Sequence, residues 1–394
     1  MWRSLASNAL TLFIVLLIAL GGAIGWGQNQ YTAAGPLDDP ICLRVQRGAS
    51  MASVSGDLNQ RGAISNARIM RIGADYTDKS SALKAGSFLV PAGASMAQIV
   101  DIVTRGGQST CGTEIVYRIG VNRINVQVRE LDPASNRFVE LVSFDPKAEG
   151  AVVPEQLSEI RDRADTRYRV ALAEGATNWQ IVEGLKSVDV MTGEVLAVPP
   201  EGRLAPDSYE IRVGSNRGDL LAEMESRQAR RLEDAWRNRA EGLPIDTPEE
   251  ALVLASIVEK ETGLAEERGL VAAVFVNRLQ QGMRLQTDPT VIYGITKGQG
   301  VLGRGLRQSE LRRETPYNTY VINGLPPTPI ANPGLASLEA ALNPEDSKFI
   351  FFVADGTGGH AFAETLAEHN ENVAKWRAIE ASVTIDRKLV LTVC

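Results

Sequence analysis

Apolar positions along the chain fall into three periods, and each predicts a different element. Near the N-terminus an unbroken apolar run, Ala9 to Trp26, covers about 18 residues, near the lower limit for a helix that crosses a bilayer. After a linker rich in Gly, Pro, Gln and Asp (Gln28 to Pro40), the apolar residues come in short runs. Val45, then Gly48 and Ser50-Met51, reads as a strand, a turn and a helix start. Leu89-Val90, Gly93 and Ser95-Met96 repeat that text, with Ile99, Val100, Ile102 and Val103 following. A third copy runs Val170 to Leu172, Gly175 and Thr177, then Trp179, Ile181, Val182 and Leu185. In each copy glycine turns the chain and Ser or Thr caps a helix. Ile115–Ile119, Arg123–Val128 and Phe138–Phe144 read as strands of a small antiparallel sheet.

In the C-terminal half the period becomes helical. Leu220, Leu221, Met224, Leu232 and Trp236 form a sparse seam in a charged helix from Gly218 to Asn238. A helix starting near Thr247-Pro248, with Glu249 and Glu250 in its first turn, should end near Gly263. Another runs from about Glu266 to Gln281, with Ala272, Phe275, Val276 and Leu279 on one face and Gly282 as its stop. Within the helix that starts at Pro248, Leu254, Ile257, Val258 and Glu261 share a face. Three are apolar, so Glu261 continues a buried stripe while Glu259 points the other way. A carboxyl beside apolar walls loses hydration, its pKa rises, and it becomes fit to act as a general acid near neutral pH. The plainer reading, a Glu that ends its helix near solvent or is neutralised by a buried Arg, stays open at this point.

Composition narrows the function classes. The chain has 394 residues, 44% hydrophobic and 23% charged, with a formal net charge of −7. That is enough for two or three domains with real cores, and it argues against a basic surface that tracks nucleic acid. Arg3 precedes the apolar run, and Asp38 and Asp39 follow it, an asymmetry that places the N-terminus in the cytoplasm and the rest outside. An uncleaved anchor is the favoured reading; Ala23-Ile24-Gly25 has the spacing of a signal-cleavage site and supports the competing one. In an exported chain Cys42 and Cys111 could bridge, with Cys394 left over; three free thiols are the alternative. The cysteine spacings do not resemble a zinc site, and with only His360 and His369 present a His-based metal centre or Ser-His-Asp triad is poorly supplied. No metal or cofactor is expected.

After Gly282 the text is dense in Asn, Gln, Thr, Tyr and Pro. Met283 through Gly294 is followed by Thr315-Pro316-Tyr317-Asn318-Thr319-Tyr320, Gly324-Leu325-Pro326-Pro327, Ile330 to Gly334, and Phe351 to His360. Pro-bounded loops carrying amides and phenols suit carbohydrate, since amides bond hydroxyls and aromatic faces cover sugar rings. With Ala255 to Thr262, Phe275 to Leu279, Leu204 to Tyr209 and Val353-Ala354-Asp355-Gly356 with Gly358-Gly359-His360, these motifs resemble the endolytic murein transglycosylases of the YceG-like family. The match runs from about Gly175 to Trp376. A weaker, LysM-like match from about Leu43 to Gly107 includes Lys84 to Phe88. LysM modules are small βααβ units that bind N-acetylglucosamine polymers. The stretch from about Cys111 to Arg169 departs from the family pattern and reads as an insertion.

The resemblance implies a mixed α+β chain. Its expected parts are a cytoplasmic tip and transmembrane helix (1–30), a LysM-like subdomain (41–108), a β-rich insertion (109–169), and a mainly helical catalytic domain with a loop-built cleft (170–385). It implies a single-pass enzyme of the inner membrane that cuts peptidoglycan strands in the periplasm at the MurNAc-β-1,4-GlcNAc bond. Products would carry 1,6-anhydroMurNAc ends, and the role would be to end nascent strands beside peptidoglycan synthases. The family's catalytic Glu falls on Glu261. Gln286, Asp288, Tyr293, Asn318 and Tyr320 are candidates for holding the sugar or orienting Glu261. Two other readings stand beside this one: a muramidase with Asp288 as second carboxylate, and a wall-binding scaffold without catalysis.

Overall fold

The computed structural model describes residues 2–46, 48–105, 110–148, 150, 152–161, 163 and 166–391, with the backbone alone over 2–9, at 156 and over 382–391. The fold is mixed α+β. It divides into two compact units: Met1–Val116, Val126–Phe144 and Gly150–Tyr168 in the first, and Tyr117–Asn125, Asp145–Glu149 and Arg169–Cys394 in the second. Cys394 lies outside the described residues.

In the first unit, α1 (Trp2–Thr32) contains one segment, Leu10–Thr32, long and apolar enough to cross a membrane, with mean hydropathy 2.2. Its side chains from Leu10 to Trp26 are all exposed. Next come β1 (Ile41–Val45), α2 (Met51–Gln60), α3 (Ala67–Tyr76) and β2 (Gly86–Val90), a β-α-α-β succession. β1 and β2 pair antiparallel, Ile41 opposite Val90 and Val45 opposite Gly86. Leu43, Leu58, Met70 and Phe88 form its core with Ile99 and Val100 of α4 (Met96–Thr104). Ser50 and Ser95 cap α2 and α4 in the predicted way, each with a reciprocal bond to the third helical residue. Gly48 and Gly93 turn the chain ahead of them at φ 78 and 66, a region that other residues rarely enter. Of the two readings left open for the cysteines, the bridge is present: Cys42 and Cys111 are bonded.

β3 (Thr113–Ile119), β4 (Ile124–Asp132) and β5 (Arg137–Phe144) are strands where strands are expected, β4 and β5 pairing antiparallel, and α5 (Glu155–Arg161) follows them. They share one five-stranded sheet, order β5-β4-β3-β6-β7, with β6 (Arg167–Leu172) and β7 (Ser208–Ile211). The expected boundary between residues 169 and 170 therefore falls inside a strand.

The second unit carries most of the helices. α6 (Asn178–Lys186) is capped by Thr177 after Gly175 at φ 74, the third copy of the strand–turn–cap text. α7 (Arg217–Arg237), α8 (Pro248–Glu261) and α9 (Arg268–Gln280) are the three expected long helices. The single apolar stripe expected on α8 is too narrow: every residue from Ala251 to Val258 is buried, so the helix is enveloped. Val271 to Val276 of α9 are buried in the same way. Ile257, Val258, Phe275, Leu338 and Leu342 belong to one core. Full burial of each such side chain stabilises the unit by about 1.5–3 kcal/mol.

Beyond Gly282 the chain is less loop-like than its composition reads. α10 (Asp288–Thr296), α11 (Gln308–Leu311), α12 (Leu335–Leu342) and α13 (Leu366–Leu391) are helical, and β8 (Phe351–Ala354) pairs with β9 (His360–Ala363) as a hairpin. Asp288-Pro289 opens α10, with proline in the first turn, where its missing N–H costs nothing.

Candidate active site

α8 is built to end at a chosen place. Thr247 and Glu250 form its capping box and Pro248 stands in its first turn. Ser256, wholly buried, donates to the Val253 carbonyl (2.7 Å) and accepts from the Ile330 N–H (3.0 Å). The helix stops two residues earlier than expected. Thr262 takes extended backbone, φ −139 and ψ 134, and its hydroxyl accepts the Leu264 N–H at 3.0 Å. Gly263 is not in the left-handed region, so no glycine cap is used. Glu261 is thus the last helical residue, at the end where the helix dipole opposes negative charge.

The two acidic residues of this turn part company as the helical phase requires. Glu259 Oε2 accepts the Gly334 N–H (3.0 Å) and the Ser337 hydroxyl (2.7 Å), so it closes the start of α12. Lys260 between them donates to the Gly175 carbonyl at 3.3 Å. Glu261 Oε1 accepts instead from the hydroxyl of Thr287.

Thr287 is held from all sides. Gln286, just before it, sits at φ 54, an uncommon conformation for a residue with a side chain. The Gln286 N–H donates to the Thr319 carbonyl (3.1 Å) and the Thr287 N–H to the Thr319 hydroxyl (3.0 Å). The Thr290 hydroxyl donates to the Thr287 carbonyl at 2.9 Å. Thr287 occupies the N-cap position of α10, yet its hydroxyl makes no cap bond; it serves Glu261. Arg278, 7% exposed, stitches the approach to this loop by donating to the carbonyls of Arg284 (3.2 Å), Leu285 (2.9 Å) and Ile350 (2.6 Å) and to Gln286 Oε1 (3.3 Å).

Burial is the main force on the Glu261 carboxyl and pushes its pKa above the usual carboxylate range. Thr287 pulls it down by bonding the charged form, Asp288 pushes it up by like-charge repulsion, and His360 pulls it down. The residue as a whole is half-buried, and its carboxyl is the part most removed from water. Oε1 is engaged by a donor, and among the described residues Oε2 has no hydrogen-bond partner, which leaves it to carry the proton.

The other expected residues divide. Asp288 comes to the site, and its Oδ1 accepts from Tyr320 at 2.7 Å; burial first, then this bond, raises the Tyr320 pKa and keeps it a phenol. Gln286 is exposed beside Thr287. Tyr293 belongs to a second cluster. Its hydroxyl donates to Glu201 Oε2 (3.1 Å), and its ring lies 5.2 Å from that of Tyr317. Glu201 also accepts the Asn178 N–H at 2.8 Å, and burial raises its pKa. Asn318 is wholly buried, and its amide is spent on the carbonyls of Glu310 (3.1 Å), Leu311 (3.1 Å) and Arg313 (2.7 Å). It ties the loop that carries Thr319 and Tyr320, with no donor left for a sugar. Two surface hollows of this unit, one lined by Arg239, Ala240, Glu241, Gly242, Leu243 and Ile245 and one by Arg231, Asp234, Ala235, Asn238, Leu335, Glu339 and Asn343, include none of these side chains. The expected loop-built cleft is not one of them, and it is the charges and hydrogen bonds around Glu261 that mark the site. Among the described residues no cluster of His, Cys, Asp and Glu could hold a metal ion.

A sequence model of the YceG-like family matches residues 43–375. The chain belongs to the YceG-like family. An endolytic murein transglycosylase of Bacillus subtilis is 32% identical over 192 residues, 48% of this chain and 52% of the relative. One of Streptococcus pneumoniae is 26% identical over 381 residues, 92% of this chain and 64% of the relative. The chain thus spans about half to two thirds of the length of these curated relatives. A crystal structure of a YceG-like protein from Listeria monocytogenes aligns at 24% identity and TM-score 0.43, covering 84% of this chain and 98% of that one.

In this YceG-like chain the sequence reading missed Thr287, Thr319, Arg278 and Glu201. Thr287 carried a signal: a threonine before Asp-Pro reads as a helix cap, and only the fold shows its hydroxyl going elsewhere. Glu201 carried none, since it is buried by residues far away in sequence.

Proposed function

We propose that this chain is a membrane-anchored endolytic lytic transglycosylase of peptidoglycan, with Glu261 as its acid and base. The observation that carries the reading is the Glu261 carboxyl at the end of α8, bonded through one oxygen by Thr287 and pushed above its ordinary pKa by burial. The names of the curated relatives support the substrate and the type of cut.

The chemistry follows from a single carboxyl. Protonated Glu261 gives its proton from Oε2 to the glycosidic oxygen, and the bond from the muramyl C1 breaks with its electron pair on the departing N-acetylglucosamine. Positive charge develops on the muramyl ring while Glu261 becomes a carboxylate. The C6 hydroxyl of the same sugar attacks C1, and its proton returns to Glu261. The product is a 1,6-anhydroMurNAc end, and the enzyme is restored. An intramolecular nucleophile is already in place, so no second carboxylate is needed to hold water. Asp288, Tyr320 and Gln286 line the sugar's position in this reading; Tyr293 acts further along α10, and Asn318 acts through the loop it ties.

The β-α-α-β unit from β1 to β2 has the order of a LysM module and is assigned to glycan binding. α1 is the anchor. The Cys42–Cys111 bond supports an oxidising compartment for the body, hence a cytoplasmic N-terminus and a periplasmic catalytic domain at the inner membrane. From there the enzyme would end nascent strands beside the synthases that make them.

Asp288 lies close enough for its charge to act on Glu261, which favours one second reading: a muramidase that uses Asp288 to activate water. Mass analysis of fragments from purified glycan strands decides. Anhydro ends from wild type and none from Glu261→Gln support the proposal; reducing ends support the muramidase. Cutting by Glu261→Gln at the wild-type rate would remove Glu261 from the chemistry, and intact strands with wild type would leave a wall-binding scaffold.

A further inference from the structure

Between α10 and the loop that carries Tyr320 the chain is crowded with positive charge. Lys297, Arg304, Arg307, Arg312 and Arg313 stand there against Glu310, with Glu314 just after, in a chain whose formal net charge is −7. All five cations are exposed. Glu310 is already spent: Arg304 donates to its Oε2 (2.9 Å) and Oε1 (2.6 Å), and the Arg307 backbone N–H to Oε2 (2.7 Å). The Lys297 ammonium lies over the Tyr317 ring, 4.9 Å from its centroid. Among the described residues Lys297, Arg312 and Arg313 make no ion pair, whereas Arg227 and Arg231 of α7 share Asp207 and Arg237 bonds Glu233 and Asp234.

Both ends of this segment are held. The Gly298 carbonyl accepts the Thr177 hydroxyl at 2.6 Å. At the other end the buried Asn318 amide donates to the Leu311 and Arg313 carbonyls, and Asn318 Oδ1 accepts the Tyr320 N–H at 3.1 Å. Next to Asn318, the Thr319 hydroxyl accepts the N–H of Thr287, whose own hydroxyl bonds Glu261. A short series of bonds therefore ties the backbone of Arg313 to the Glu261 carboxyl. It uses the Arg313 carbonyl, and the guanidinium takes no part.

We infer that the 297–313 segment is a specificity-determining surface for the carboxylates of the peptide stems on peptidoglycan strands, with Arg312 and Arg313 as its main contacts. The inference rests on the substrate proposed for Glu261. A stem leaves the muramyl ring through the lactyl group on C3, close to the C1 at which the bond breaks. A stem of a few residues spans on the order of 10 Å when extended, so its carboxylates reach beyond the sugar's own contacts. A stripped strand keeps only the lactyl carboxylate on the ring. Guanidinium groups bind carboxylates in a planar fork. The charge also answers a problem of sign: chain and peptide-bearing strand are both acidic, and a local positive face lets them meet. An anionic lipid surface would attract exposed arginines as well. What favours the stem is the tie of Arg313 to the loop of Thr319 and Tyr320, which sets the charge beside the bond to be cut.

The test compares peptide-bearing strands with the same strands stripped by an amidase. The full chain is used in neutral detergent, as wild type, Arg312→Gln/Arg313→Gln and Arg312→Lys/Arg313→Lys. The quantity read is the ratio of kcat/KM for the two strands, in which a loss of folded enzyme cancels. Wild type is expected to favour peptide-bearing strands about fivefold or more, mainly through KM, and less so as salt is raised. The Gln pair is expected to lose most of that preference and the Lys pair to keep most of it. A wild type without preference, or a Gln pair with the wild-type ratio, overturns the inference. So does an effect of the Gln pair that appears only when anionic phospholipid is added to the micelles, which would assign the charge to the membrane. If Glu261→Gln proves fully active, or wild type cuts neither strand, the parent reading fails instead. The inference is then read from binding of a single disaccharide-peptide, which lacks the bond that is cut. Tighter binding than the peptide-free disaccharide by wild type, lost in the Gln pair, upholds it; equal binding of the two, or a Gln pair that binds like wild type, overturns it.

Discussion

Removing the Thr287 hydroxyl while keeping its shape isolates one contact of the proposed reaction. In Thr287→Val the backbone bonds that place the loop remain, from the Thr287 N–H to Thr319 (3.0 Å) and from Thr290 to the Thr287 carbonyl (2.9 Å). What goes is the donor to Glu261 Oε1. A hydrogen bond to a charged acceptor contributes about 1.5–3 kcal/mol. That contribution is largest when Glu261 is a carboxylate, which is the form it takes as the glycosidic bond breaks. The barrier therefore rises by about that amount, and kcat falls about ten- to hundredfold. The sign of the pH effect is fixed as well. Thr287 favours the ionised form and so lowers the Glu261 pKa; without it the pKa, already raised by burial, rises further. The variant keeps its acid form to higher pH, its alkaline limb moves up, and the gap to wild type narrows there. The assay counts anhydromuramyl ends by mass spectrometry across pH, with Thr287→Ser as the variant that keeps the hydroxyl. An unchanged kcat with an unmoved limb refutes the reasoning, and so does a Thr287→Ser variant as impaired as Thr287→Val.

Two further outcomes are expected. Glu259→Gln keeps an oxygen for the start of α12 but gives up the charge that accepts from Gly334 and Ser337. It should lose about 1 kcal/mol in urea unfolding and keep its cutting rate within about threefold; a loss as deep as that of Glu261→Gln would mean the wrong carboxyl has been chosen. The Cys42–Cys111 bond closes a sequence separation of 69 residues. Cys42→Ser should cost up to about 4 kcal/mol and lower the melting temperature. Reductant should reproduce the drop in wild type and add nothing in the variant; equal melting with and without reductant in wild type would count against a stabilising bridge.

What could be read from the sequence was whatever is decided locally. The three glycine turns and the caps at Ser50, Ser95 and Thr177 follow from residue types within a few positions of each other. The start of α8 at Thr247-Pro248 does too. The phase that separates Glu261 from Glu259 is a matter of two residues on a helix. What depended on partners distant in sequence could not be read. α8 is buried from Ala251 to Val258 because α7, α9, α10 and α12 pack around it, and its own text shows only one clear stripe. α10 was hidden by a composition that also suits loops. Asn318 reads as a sugar ligand until the carbonyls of Glu310, Leu311 and Arg313 are brought to it. Thr287 reads as a cap until Glu261 takes its hydroxyl.

The placement of Glu261 at the last turn of a helix buried from Ala251 to Val258 would let one carboxyl serve both steps of the proposed reaction. Burial raises its pKa, and the C-terminal end of a helix dipole disfavours negative charge in the same direction. A site with only those two influences would hold its proton tightly and give it up poorly. The counterweight comes from a separate element: Thr287, from the loop before α10. That loop is pinned by contacts that do not involve Glu261, through Thr319 and Arg278. The counterweight is therefore in position before substrate arrives, and its dipole need not reorganise as charge moves onto the carboxyl. On this argument the ionisation of Glu261 is set by the agreement of two separately anchored pieces of chain. Displacing either of them should move the pH limb of the reaction even where the distance of the carboxyl from the sugar is unchanged.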